Sequence, residues 1–135
     1  MKLCSGAWLP DDESDEAMLQ GGAEYQKHKL DAAMPFVTNR RVAVDIGAHC
    51  GLWTMQLEAL FTHVVAFEPL ERHHSCFHLN TKGAELHKVA VGDQTDGCSI
   101  ALVDTMSGRS FVHGDGDIPM LRLDDLHIKE VDLIK

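Results

Sequence analysis

No apolar run in this sequence approaches the roughly 20 residues that a bilayer-crossing helix needs. The expectation is a soluble chain with no membrane partner. Its start, MKLCSGAWLP, has neither the basic region nor the apolar stretch of a secretory leader, and its four cysteines (Cys4, Cys50, Cys76, Cys98) form no C-x-x-C pair. That usage reads as reduced thiols in a cytoplasmic protein. Positive charge is scarce: 12 Lys and Arg face 21 Asp and Glu, for a formal net charge of −9. Such a field repels phosphate backbones, so nucleic acid is not an expected partner. Internal repeats, low-complexity tracts and the G-K-[ST] of a phosphate loop are also missing.

What is present suits one domain. At 135 residues the chain can take roughly two-thirds of its unfolded surface out of water without disulfide staples. Residues 1–24, with the acidic run PDDESDEAM, read as a solvated N-terminal arm, and residues 25–135 carry the domain. EYQKHKLDAAM spaces Tyr25, Leu30, Ala33 and Met34 for a short helix ahead of Pro35. VAVDI is a buried strand, GLWTMQLEALF a helix packed on a sheet, and HVVAFE a second apolar strand that ends in an acid. Pro69 suits the first turn of the helix PLERHHSCFHLN, which should stop near residues 80–83. ELHKVAVGD gives a third strand and SIALVD an antiparallel addition. Glycine-rich TMSGRSFVHGDGDIP reads as a strand pair or a flap. MLRLDDL and the buried strand VDLIK close the sequence. Alternating strands and helices call for an α/β fold with a mostly parallel sheet and right-handed crossovers.

Ligands of such sheets sit outside the carboxyl ends of the strands, where strand order reverses. Here the first strand ends in Asp45-Ile46-Gly47-Ala48-His49-Cys50-Gly51 and the second in Glu68. Glycines in that turn let a ligand approach the main chain, although any strand-to-helix connection favours Gly and Asp. Glu68 is placed to accept hydrogen bonds from both ribose hydroxyls of an adenosine lying over the turn. The dinucleotide pattern G-x-G-x-x-G is not met, because His49 and Leu52 stand where its second and third glycines belong. His49 crowds the route of a pyrophosphate, so the turn suits a nucleoside without phosphates. NAD-dependent oxidation is the weaker alternative.

Taken in order, VAVDIGAHCGLWT, VVAFEP, KVAVGD and LDDL followed by VDLIK resemble the FkbM-type family of S-adenosylmethionine-dependent methyltransferases, over about residues 25–135. The resemblance implies a Rossmann-like class I three-layer sandwich and S-adenosyl-L-methionine as cofactor. It implies that Asp45 and the turn at 47–51 (Gly47, Ala48, His49, Gly51) hold the methionine part, Asp45 through its amino group. Glu68 would bind the ribose diol; Pro69, Ala90 and Val91 would flank the adenine, with Gly92 and Asp93 shaping that wall. The implied reaction is O-methylation of a small molecule or sugar, in which the sulfonium activates the methyl group and the protein aligns the acceptor and excludes water. Family members continue past VDLIK with a D-x-E-G-x-E-like stretch and further strands, whereas this sequence stops at Lys135. The expectation is therefore a sheet without its C-terminal strands, self-association through the VDLIK edge or else marginal stability, and little or no methyl transfer by these 135 residues alone. A non-catalytic nucleoside-binding or interaction module is the alternative.

Other residues carry weaker signals. His73, His74, Cys76 and His78 share one expected helix but offer no third ligand at a metal spacing, so the reading is an exposed His-rich face and no metal. Trp53 reads as a core anchor and Asp124 as a helix cap. Asp104, His113, Asp115 and Asp117 lie on or beside the glycine-rich segment, where they could face an acceptor; no catalytic base is assigned among them.

Overall fold

The N-terminal residues fold back as a hairpin, β1 (Lys2–Cys4) against β2 (Ala7–Leu9), with Ser5 and Gly6 at positive φ in the turn. The structure, a computed structural model, describes residues 1–101 and 110–135. Asp15 caps α1 (Glu16–Gly21) by accepting from the amides of Ala17 and Met18. Ala7, Leu9 and Met18 then pack against Cys50, Leu52 and Cys76. The acidic run is thus not a solvated arm. Its acids divide: Asp11 and Asp12 face outward, pairing with the N-terminal amine and Arg72, while Glu13 is 1% exposed and accepts from the amides of Ser14 and Asp15. Alternating apolar positions in β2 supply the buried face that fastens the segment down.

Helix α2 (Lys27–Ala33) gives way to a 3-10 turn at Met34–Phe36, where Pro35 ends regular helix. Next come β3 (Val42–Ile46), α3 (Leu52–Glu58), β4 (His63–Phe67), α4 (Glu71–Asn80) and β5 (Glu85–His87). Leu70, not Pro69, stands at the N-terminal boundary of α4. The expected third strand is split. β5 stays beside β4, whereas β6 (Ala90–Val91) leaves the sheet and pairs in parallel with β9 (Met120–Leu121). Between them, β7 (Cys98–Ala101) and β8 (Phe111–Ile118) form an antiparallel ribbon. The LDDL stretch is a 3-10 helix, Leu123–Leu126, with Arg122 at its boundary and no side-chain cap; Asp124 does not cap it, and Asp125 pairs with Arg122 at 2.9 Å.

Strand β10 (Val131–Ile134) completes a four-stranded parallel sheet in the order β10-β3-β4-β5. Expected as a buried strand, β10 is half-buried, because at the sheet's edge it has one neighbour. The molecule is a mixed α/β structure. One sheet face, carrying Ala43, Val64 and Ala66, takes Leu30, Trp53, Leu57 and Phe77 from α2, α3 and α4. The other, carrying Val44, Val65 and Phe67, is covered by Val91, Leu121, Leu123, Leu126 and Ile128. Helical layers on both faces are therefore not found: among the described residues, the β6–β9 strand pair, a 3-10 turn and the chain after it close the second face. No helix among them is long and apolar enough to cross a membrane.

Candidate functional site

The loop between β3 and α3 is fastened to the end of β4. Gly47 and Ala48 both donate their amides to the Phe67 carbonyl at 2.9 Å, and His49 donates its amide to Glu68 Oε2 at 2.8 Å. Gly47 has φ +73, and nothing lies within 4 Å of where its Cβ would be. That combination leaves an open strip of main chain. Gly51, at φ +80, serves packing instead: a Cβ there would come within 2.9 Å of Thr81 Cγ2 and 3.0 Å of Phe77 Cδ2, so α4 lies too close for any side chain.

Glu68 anchors the loop more than it offers itself. Its second oxygen accepts from the Leu70 amide at 2.9 Å and sits 3.0 Å from His73 Nδ1. Burial alone would raise this carboxyl's pKa, but the His73 ring and the Leu70 and His49 amides outweigh it and hold the group below the usual carboxylate range. The Glu68 carbonyl accepts from His74 Nε2 at 2.8 Å. His73 and His74 are accordingly buried, which corrects the expected exposed face; their hydrogen bonds to Glu68 make burial tolerable. The His49 and His73 rings lie 3.8 Å apart, and His49 Nε2 is 3.7 Å from Glu13 Oε2. Burial, helped by His73, pushes the His49 pKa down to about 3, so its ring is neutral near pH 7.

Asp45 is fully buried at the end of β3. Where the resemblance places a ligand's amino group, the structure has Lys135 Nζ, 3.0 Å from Asp45 Oδ1 and donating to the Gly47 carbonyl at 3.1 Å. The other Asp45 oxygen accepts from Thr54 Oγ1 at 2.6 Å.

Two cavities flank this loop. The first, about 220 Å³, is bounded by Gly47, His49, Glu68, Pro69, Ala90 and Val91, with Ile100, Phe111 and Val112 of the ribbon as its outer wall. The second, about 230 Å³, is bounded by Tyr25, Gln26, Gly47, Ala48, His49, Trp53 and Lys135. Of the nine residues the resemblance assigns to the cofactor, six meet in the first cavity and Ala48 lies in the second, while Asp45 and Gly51 line neither; His73 also lines the first cavity and Trp53 the second. His113, Asp115 and Asp117 are exposed on β8, and Asp104 lies outside the described residues. Trp53 is the expected core anchor, and its Nε1 also donates to Gln26 Oε1 at 3.3 Å. Among the described residues, no three His, Cys, Asp or Glu side chains converge on a metal position.

Sequence reasoning missed Glu13, Lys135 and the ribbon's Phe111. Glu13 is one acid in a run of acids and Lys135 one lysine at a strand end, so neither stood out; Phe111 is 58% exposed at a cavity wall, and only its setting distinguishes it. An open glycine strip beside an apolar wall and a buried carboxylate suits a planar, hydroxyl-bearing ligand. Comparison with family models, with curated proteins and with solved structures gave no match for this chain.

Proposed function

We propose that this chain binds S-adenosyl-L-methionine on a Rossmann-like, class I plan of the FkbM type and serves methyl transfer to oxygen on a small molecule or sugar. The supporting observation is the meeting of Gly47, Glu68, Pro69, Ala90 and Val91 around one cavity at the carboxyl ends of β3 and β4. In this reading the adenine lies between the Pro69 and Val91 side and Phe111 of the ribbon. The ribose crosses Gly47, where no Cβ obstructs it. A carboxylate has about four acceptor positions and Glu68 uses three within the protein, so it can take one ribose hydroxyl without releasing a partner. The bound cofactor would supply an electrophilic methyl group; these residues would fix its direction and keep water away.

One observation favours a second reading, a nucleoside-binding module without catalysis: Glu68 and His73, an acid and a base that both line the first cavity, are bonded to each other. Calorimetric titration with S-adenosylhomocysteine and with NAD tests the cofactor, and transfer of labelled methyl to an acceptor tests catalysis. Glu68→Gln keeps the size of the side chain while removing its charge. It should weaken S-adenosylhomocysteine binding about tenfold, or about 1.4 kcal/mol. Unchanged affinity in a variant that melts like the parent would place the ribose elsewhere.

A further inference from the structure

We infer that the second cavity is a carboxylate-binding subsite and that Lys135 is the group that holds the carboxylate. The inference rests on the cofactor reading above and gives its ligand a polarity. Both cavities are bounded by Gly47 and His49, so a ligand crossing the open Gly47 strip from the first enters the second. A nucleoside in one and a short tail in the other is the arrangement that fits.

The tail's chemistry follows from what lines the second cavity. Among the described lining residues none has a carboxylate side chain, Asp45 included, and Lys135 supplies the one ammonium. The Gln26 amide is neutral and spends one donor on Tyr25 Oη at 3.0 Å while accepting from Trp53 Nε1 at 3.3 Å, so it sets no charge preference in the cavity. Lys135 differs. Its ammonium has three donor positions. The Gly47 carbonyl takes one at 3.1 Å and Asp45 Oδ1 pairs with it at 3.0 Å, which leaves capacity toward the cavity. The side chain is 28% exposed, and its Nζ lies 5.8 Å over the Trp53 ring. Thr54 holds Asp45, and Asp45 holds the lysine, so the cation is positioned before any ligand arrives. An amino group would meet this ammonium as a like charge, whereas a carboxylate would meet a fixed donor. The structure thus inverts the role expected of the Asp45 position: it receives the acid of an amino-acid tail, not its amine.

Three ligands separate the outcomes. S-adenosylhomocysteine carries both tail groups, its decarboxylated analogue keeps only the amine, and 5′-methylthioadenosine has neither. Calorimetry on the parent should show S-adenosylhomocysteine bound about tenfold more tightly than the decarboxylated analogue. Lys135→Met should erase that preference and leave 5′-methylthioadenosine binding within about twofold of the parent; Lys135→Arg should keep the preference. Since the preference is a ratio of two ligands on one protein sample, a loss of stability in Lys135→Met does not imitate its loss. Equal binding of the three ligands by the parent, or a preference that survives Lys135→Met, overturns the subsite and leaves the nucleoside reading standing. Failure of the parent to bind any of them overturns both.

Discussion

A non-glycine residue in the left-handed region costs on the order of 1 kcal/mol, and His49 holds φ +54. Its contacts offset that cost: the amide on Glu68, the ring on His73, and Nε2 toward Glu13. These contacts make the loop sensitive to acid. Burial lowers the His49 pKa most, the charges of His73, Lys135 and Arg72 lower it further, and Glu68 opposes them, for a result of about 3. The unfolded chain takes up this proton near pH 6.5 and the folded chain does not, so the stability is whole above that pH and is lost as pH falls toward 3. Glu68 adds in the same direction: its lowered pKa contributes stability above the ordinary 4.5 that is lost as pH falls through the folded value. Urea unfolding at about pH 7.5 and about pH 5 should therefore differ by about 2 kcal/mol, with most of the difference removed by His49→Gln. An unchanged slope in that variant would mean that His49 is already charged. Residue types alone could not reveal this environment. Gly47 and Glu68 were legible as lining of a cavity, because a strand end followed by a turn admits few uses. That Asp45 and Gly51 line neither cavity was not legible, because a carboxylate held by a distant lysine and a glycine pressed on a distant helix look the same in sequence as ligand-binding ones.

Among the elements, one side chain joins three. Asn80 closes α4, accepts from the Trp8 amide at 2.7 Å, and donates to the carbonyls of Trp8 at 2.9 Å and Cys50 at 2.7 Å. It acts as a further rung on β2 and as a clamp on the loop at 47–51. Asn80→Ala leaves these backbone groups without their partner, which should cost about 2–4 kcal/mol by urea unfolding. Hydrogen exchange should show the hairpin opening before the parallel sheet; simultaneous opening would deny Asn80 this linking part. The elements of the parallel sheet were legible because VAV in β3 and VVAF in β4 are unbroken apolar runs, as strands buried on both faces tend to be. The hairpin was not, since two strands of three residues each carry almost no period and draw their stability from the surface they cover. The break after β5 was likewise hidden: no Gly or Pro interrupts ELHKVAV, and only the competing partner β9 draws β6 away.

At the scale of the whole molecule, a long-range repulsion opposes a short-range attraction. The net charge of −9 keeps copies apart. Yet β10 has no neighbour on its outer side among the described residues, and its last residue, Ile134, is 55% exposed. The lysines flanking VDLIK would ordinarily guard such an edge. Only Lys129 does so, because Lys135 is turned inward onto Asp45. A register shift between Val131 and Leu133, where Asp132 turns to Arg41 at 2.7 Å, interrupts the edge and limits what a partner strand can grip. Association through β10 should accordingly be weak and governed by salt. The screening length falls from about 10 Å at 0.1 M to about 3 Å at 1 M, so added salt removes the repulsion while leaving backbone pairing and apolar burial intact. Light scattering across a dilution series of this 135-residue polypeptide should show monomer at low salt and a growing dimer fraction at high salt. Ile134→Lys puts a charge on the exposed edge position and should keep the chain monomeric in both. A monomer at every salt concentration, or a dimer that Ile134→Lys leaves unchanged, would show that the bulge and Lys129 suffice to close the edge.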